Sequence, residues 1–121
     1  MSEAEVPTQE EHVGALFAGK DAVVLTIYLR LLDRLAGFGP YRAEPTQTSI
    51  HLRRTANFAE VHPQKRGLRL DLRTAAPIDS PRIGRCEQVS KNRYHNELRL
   101  TSPAEVDAEL ASWLREAYKL G

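Results

Sequence analysis

The stretch SKNRYHNELRL, residues 90–100, sets Arg93, Tyr94, His95 and Asn96 side by side. Arg93 presents a planar fork of donors suited to a carboxylate or a phosphate. His95 can exchange a proton near neutral pH or donate to an anion. Asn96 can both donate and accept. A second group lies upstream: His51, Glu60, His62 and Arg69. A carboxylate beside an imidazole can hold it as a proton acceptor, which is the minimum for acid/base chemistry. The same four side chains can equally form a ladder of opposite-charge pairs across strands.

Other chemistries lack their residues. The chain contains no G-x-S-x-G elbow, no Walker loop and no G-x-G-x-x-G turn. Cys86 is the one cysteine, so it has no C-x-x-C companion and no intrachain disulfide partner. His12, His51, His62 and His95 are far apart in sequence, and no metal-ligand spacing links them. We expect no metal, no cofactor and no assigned catalytic residue.

The elements that position these residues are read from periodicity. Val24, Ile27, Tyr28, Leu31, Leu32 and Leu35 make a helical stripe, with Asp21 as its cap and Gly37 and Gly39-Pro40 as its stop. After Pro40 the period becomes two. Short strands are expected at Tyr41–Glu44, through Ile50 and Leu52, through Ala59 and Val61, and at Leu68–Arg73, where Leu68, Leu70 and Leu72 alternate with charges. Residues 85–90 alternate poorly; residues 95–101 alternate well. Ser102, Pro103 and Glu105 spell a capping box with a proline start, followed by the stripe Val106, Leu110, Trp113, Leu114 and Ala117. Residues 1–12 are polar without an apolar period and read as a mobile arm, which leaves 13–121 as a single domain. The expected fold is α+β: an antiparallel sheet of about five strands, with an N-terminal and a C-terminal amphipathic helix on one face.

Register follows from the alternation. A two-residue loop at Thr55-Ala56 puts Ile50 opposite Val61, Leu52 opposite Ala59, His51 opposite Glu60 and Arg53 opposite Phe58. A further loop at Gln64-Lys65 puts Glu60 opposite Arg69 and Phe58 opposite Asp71. Leu98 and Leu100 must face the core, so Asn96 shares their side and His95 falls on the polar side.

Composition sets outer bounds. The chain has 121 residues, 41% hydrophobic and 27% charged, as in an ordinary globular protein. No stretch approaches the ~20 apolar residues of a membrane span. The acidic N-terminus is unlike a secretory signal, which points to the cytoplasm. The net charge of +1 conceals a basic middle: residues 41–100 hold twelve basic and six acidic side chains.

The runs TSIHLRRTANFAEVHPQKRGLRLDLR and SPRIGRCEQVSKNRYHNELRLTSPAEVDAELASWLREAY resemble an uncharacterised bacterial family, domain of unknown function 5655. The resemblance rests on Phe58-Ala59, Val61-His62-Pro63, Ser90, Arg93, His95-Asn96, Val106-Asp107, Trp113-Leu114 and Ala117-Tyr118. The family has no agreed activity, so the resemblance assigns no role to any residue. Three functions then stand. The first is a non-enzymatic binding or accessory domain, working through its polar sheet face and the 90–96 loop on a protein or a small anion. The second is a nucleic-acid binder through Arg53, Arg69, Arg73 and Arg99. The third is a histidine-dependent enzyme. A homodimer through an edge strand near 84–89 stands beside a monomer.

Overall fold

The computed structural model describes residues 8–121. Helices α1 (Gln9–Phe17) and α2 (Ala22–Ala36) come first, then strands β1 (Arg42–Pro45), β2 (Ile50–Arg53), β3 (Asn57–Pro63), β4 (Leu68–Thr74), β5 (Arg85–Ser90) and β6 (Arg93–Leu100). A 3-10 turn at Pro103–Glu105 leads into α3 (Ala108–Leu120). The six strands form one antiparallel sheet in the order β1-β2-β3-β4-β6-β5. The expected α+β architecture holds, with one strand more than about five and one helix more than two.

Alternation explains the layering. Leu68, Leu70 and Leu72 of β4, Leu98 and Leu100 of β6, and Ile50, Leu52 and Val61 of β2 and β3 point to one side. There they meet Val24, Ile27, Leu31 and Leu35 of α2 and Leu110 and Leu114 of α3 in one buried cluster. Each fully buried leucine contributes roughly 1.5–3 kcal/mol relative to an exposed one. Among the described residues no helix covers the opposite face of the sheet, which holds the charged residues.

The helix ends differ from expectation in three ways. Residues 9–12, read as arm, form the first turn of α1, where Thr8 accepts from the Glu11 amide at 3.1 Å; residues 1–7 lie outside the described residues. Asp21 stands at the start of α2 without a capping side-chain bond, and its amide donates to Lys65 O at 2.9 Å instead. The Ser102–Glu105 box caps the separate 3-10 turn, and Asp107 caps α3 by accepting from the Leu110 amide at 2.9 Å. The proline start suits a turn as well as a helix, so the box alone does not tell them apart.

β5 does not follow β4 in space. Residues 75–84 pass beneath β6 to reach the edge, and the tight turn at Lys91-Asn92 returns the chain into β6. Asn92 takes a left-handed conformation (φ 59°), which Asn tolerates better than most side chains. Asn96 and Arg82 both hold the crossing segment. Asn96, buried in the helical layer, accepts from the Ile78 amide at 3.0 Å and donates to Leu72 O and Thr74 Oγ1 at 3.1 and 2.7 Å. Arg82 reaches Asp107 and Glu109 at 3.0 and 3.1 Å and donates to Glu105 O at 2.7 Å.

Candidate functional site

The register places most polar candidates in three rows. The central row runs Glu44, His51, Glu60, Asp71, Glu97, Arg85 across all six strands. One flanking row holds His62, Arg69 and Arg99; the other holds Arg73, His95 and Glu87. A line of carboxylates thus lies between two mostly basic lines.

Three expected pairings are corrected. His51 faces Glu60 as anticipated, but a bulge between Leu52 and Arg53 puts Arg53 opposite Asn57. Phe58 is the extra residue, so it leaves the polar face and is fully buried, its ring edge-on to Tyr118 at 5.5 Å. The β3–β4 turn takes four residues, with the Gln64 amide donating to Gly67 O at 2.9 Å. Arg69 therefore faces His62, not Glu60, and lies 2.9 Å from Glu97. Glu60 faces Asp71, and Phe58 does not.

Glu60 gathers the upstream candidates. One oxygen lies 3.3 Å from His51 Nε2 and 3.6 Å from His62 Nε2; the other accepts from Arg73 Nη2 at 2.6 Å. The Asn57 amide nitrogen lies 3.1 Å from His51 Nδ1, and an amide nitrogen only donates. With the amide oriented this way, His51 Nδ1 accepts and Nε2 carries the proton toward Glu60. His51 then has no free lone pair with which to take a proton from a substrate. His62 is held below the ordinary imidazole pKa by its burial and by the nearby Arg69 cation, although Glu60 opposes this. Among the described residues no cluster of three ligating side chains has metal-binding geometry.

Asp71 is the strained member of the row. Its Oδ1 is buried without a hydrogen-bond partner. Burial pushes its carboxyl above the ordinary value; Glu60 and Glu97 on either side add to the rise, and His95 and Arg73 oppose it.

The downstream candidates meet at one corner. A cleft of about 220 Å³ opens between the β2–β3 turn, the β5–β6 turn and the end of α3. Arg93, His95, Arg73, Ser90 and Asn57 supply its polar wall, and Phe58 and Leu120 its apolar wall. Arg93 spends one donor on its neighbour, the Asn92 carbonyl, at 2.7 Å. Among the described residues no carboxylate pairs with it. Arg73 is anchored from behind by Glu60 and by Asn57 O at 3.3 Å. Its buried Nε has no partner.

His95 lies on the polar side, as its parity requires, and also borders a second hollow of about 110 Å³ with Asp71, Arg85, Glu87 and Glu97. Asn96 is different: it does not line the cleft, and its amide is engaged in the helical layer with Ile78, Leu72 and Thr74. His51, His62, Glu60 and Arg69 belong to the ladder, one strand or more away from Arg93. Sequence reasoning missed Asn57 as a cleft residue, included Ser90 only as part of the 90–96 loop, and placed Arg73 only among the basic residues of the face. A larger groove of about 620 Å³ between α1, α2 and β1 is lined mainly by Leu25, Leu29, Tyr28 and Tyr41 and contains none of the candidates.

The fold and site define a small α+β domain with a charge-interleaved open sheet face and a basic cleft at one corner. The chain belongs to the family described as domain of unknown function (DUF5655), whose model matches residues 13–121. No curated protein and no solved structure is significantly similar to it. Among the described residues no helix is long and apolar enough to cross a membrane.

Proposed function

We propose that this chain is a non-enzymatic binding module of the cytoplasm that takes a small anion, a carboxylate or a phosphate, in the cleft at the β5–β6 turn. The observation that carries this reading is Arg93. It lines a cleft beside a second arginine and a histidine, and among the described residues no carboxylate pairs with it. Arg73, held in place by Glu60, presents its charge without having to be ordered by the ligand, which lowers the entropic cost of binding. Ser90 and Asn57 add neutral donors at the rim. The size of the cleft, about 220 Å³, suits a group of a few heavy atoms such as one phosphate or a short carboxylic acid.

The alternatives find less support. A nucleic-acid surface needs an uninterrupted basic face and exposed aromatics. Here Glu60, Asp71 and Glu97 cross the face, and Phe58, the aromatic expected on it, is in the core. Acid/base chemistry by His51 is opposed by the Asn57 bond that occupies its Nδ1.

Calorimetric titration of the purified chain with inorganic phosphate and with short mono- and dicarboxylates tests the reading. Binding that Arg93→Ala abolishes, while circular dichroism shows the fold unchanged, supports it. Absence of heat with every anion at low ionic strength, or binding that Arg93→Ala leaves intact, overturns it.

A further inference from the structure

The two edges of the sheet are finished differently. β1 is four residues long and ends on Pro45, which cannot donate to a new neighbour. β5 is six residues long, contains neither Pro nor Gly, and is exposed along its entire length. It pairs with β6 without interruption from Arg85 to Gln88, and its one irregularity falls between Gln88 and Ser90. Cys86 and Gln88, which share the side of Asn96 and Tyr94, are uncharged, so no inward charge blocks an approaching strand.

β5 is also self-complementary in one register. When two identical strands pair antiparallel, opposite residues share a face, so each register is centred on a residue or falls between two. A register centred between residues turns one copy over and sets its helical layer beside the other copy's polar face. A register centred on Arg85 opposes arginine to arginine. One centred on Glu87 opposes acid to acid. One centred on Gln88 runs through the bulge and sets Arg85 against Lys91. The register centred on Cys86 alone sets each Arg85 opposite Glu87 of the second copy. The central row then continues across the junction: Glu97 and Arg85 of one copy are followed by Glu87 and His95 of the other. Within one chain Arg85 and Glu87 already meet at 3.1 Å, but both are largely exposed (70% and 57%), where such a pair adds little.

We propose that β5 is a homodimerisation strand, joining two six-stranded sheets edge to edge about a two-fold axis at Cys86. The occupant of the edge is a second copy of this chain. A single strand edge buries less than the roughly 1,200–2,000 Å² of a standard stable interface, so the dimer dissociates on dilution. Opposite residues of an antiparallel pair have Cα atoms about 4.5–5.5 Å apart, within the roughly 4.4–6.8 Å that a disulfide spans. Cys86, exposed in the single chain, is therefore a reporter of the register.

The test is sedimentation equilibrium of the full chain in reductant over a wide concentration range, followed by treatment with diamide. Diamide accepts the two electrons and two protons released when two Cys86 thiols become a disulfide. The proposal predicts a concentration-dependent dimer and one covalent dimer band. Glu87→Arg abolishes both, and the double exchange Arg85→Glu with Glu87→Arg restores both. Cys86→Ser removes the band and keeps the dimer. Because Arg85 and Glu87 are exposed, these variants fold as the parent does, which circular dichroism verifies. A chain that stays monomeric throughout, a dimer untouched by Glu87→Arg, or one the double exchange fails to restore overturns the proposal.

Discussion

Glu60 and Arg93 stand on the same face of the same sheet and are treated in opposite ways. Glu60 itself is well answered: His51, His62 and Arg73 converge on this one carboxylate, whose side chain is 18% exposed. Around Arg93 the charge is left open, and Arg73, its neighbour across the cleft, is fixed by the first cluster. The ladder uses its ion pairs to order the face. The corner keeps a cation available. Arg73 belongs to both, so a change in the ladder is felt in the cleft.

Removing the shared floor should produce the largest effect. Phe58 is fully buried beneath the cleft and packs on Tyr118. Phe58→Ala is expected to lower the unfolding free energy by about 3–5 kcal/mol, measured by urea denaturation. It should destroy the cleft and loosen the ladder together.

Glu60→Gln separates the two regions. It removes the charge that holds Arg73 and faces both histidines, and should cost about 1–2 kcal/mol of stability given its partial burial. Arg73 is then free to move, so phosphate affinity should fall even though residue 60 does not line the cleft.

Asp71 sharpens the contrast through pH. Its folded-state pKa lies above its ordinary value of 3.8, so the folded chain holds the proton more tightly than the unfolded chain. The stability this gives is present below the unfolded value and is lost as pH rises through the folded one. At neutral pH the ionised carboxyl therefore carries a cost. Asp71→Asn is expected to raise the melting temperature at pH 7, by a margin that shrinks toward pH 4 and below. A gain that is the same at both pH values would contradict the burial and crowding assigned to this residue.

Arg93→Ala should change stability least, by under about 0.5 kcal/mol, because the side chain is exposed and, among the described residues, bonded only to its neighbour's carbonyl. Its effect should be on anion binding alone, read by comparing calorimetric titration with denaturation of the same variant.

The division of the sheet into two faces was legible in the sequence because alternation records it residue by residue. Leu68, Leu70 and Leu72 could face one way only, and His95 was placed correctly from Leu98 and Leu100. The exact neighbours were less legible. A shift of two residues keeps every side chain on its face, so a turn at Gln64-Lys65 and the observed turn ending at Gly67 satisfy the same pattern. The discriminating cue was Gly67 itself, where a Cβ would meet Leu100 O at 2.8 Å. The bulge after Leu52 broke parity and carried Phe58 inward; alternation assumes that no residue is skipped.

Arg93 and His95 were found as candidates because they are neighbours in the chain. Asn57 and Arg73 reach the same cleft from two other strands, and only the pairing of β3, β4 and β6 brings them there. The exposure of all of β5 follows from the crossing of residues 75–84 beneath β6, a topology that no local period encodes.

The most direct test of the central claim is a nitrogen-15 amide correlation spectrum of the chain, titrated with inorganic phosphate at constant pH and ionic strength. The account predicts saturable shifts confined to Asn57, Arg73, Ser90, Arg93 and His95 and their immediate neighbours, lost in Arg93→Ala. Shifts that never saturate, or that centre on Arg69 and Arg99 at the far side of the acidic row, would contradict it.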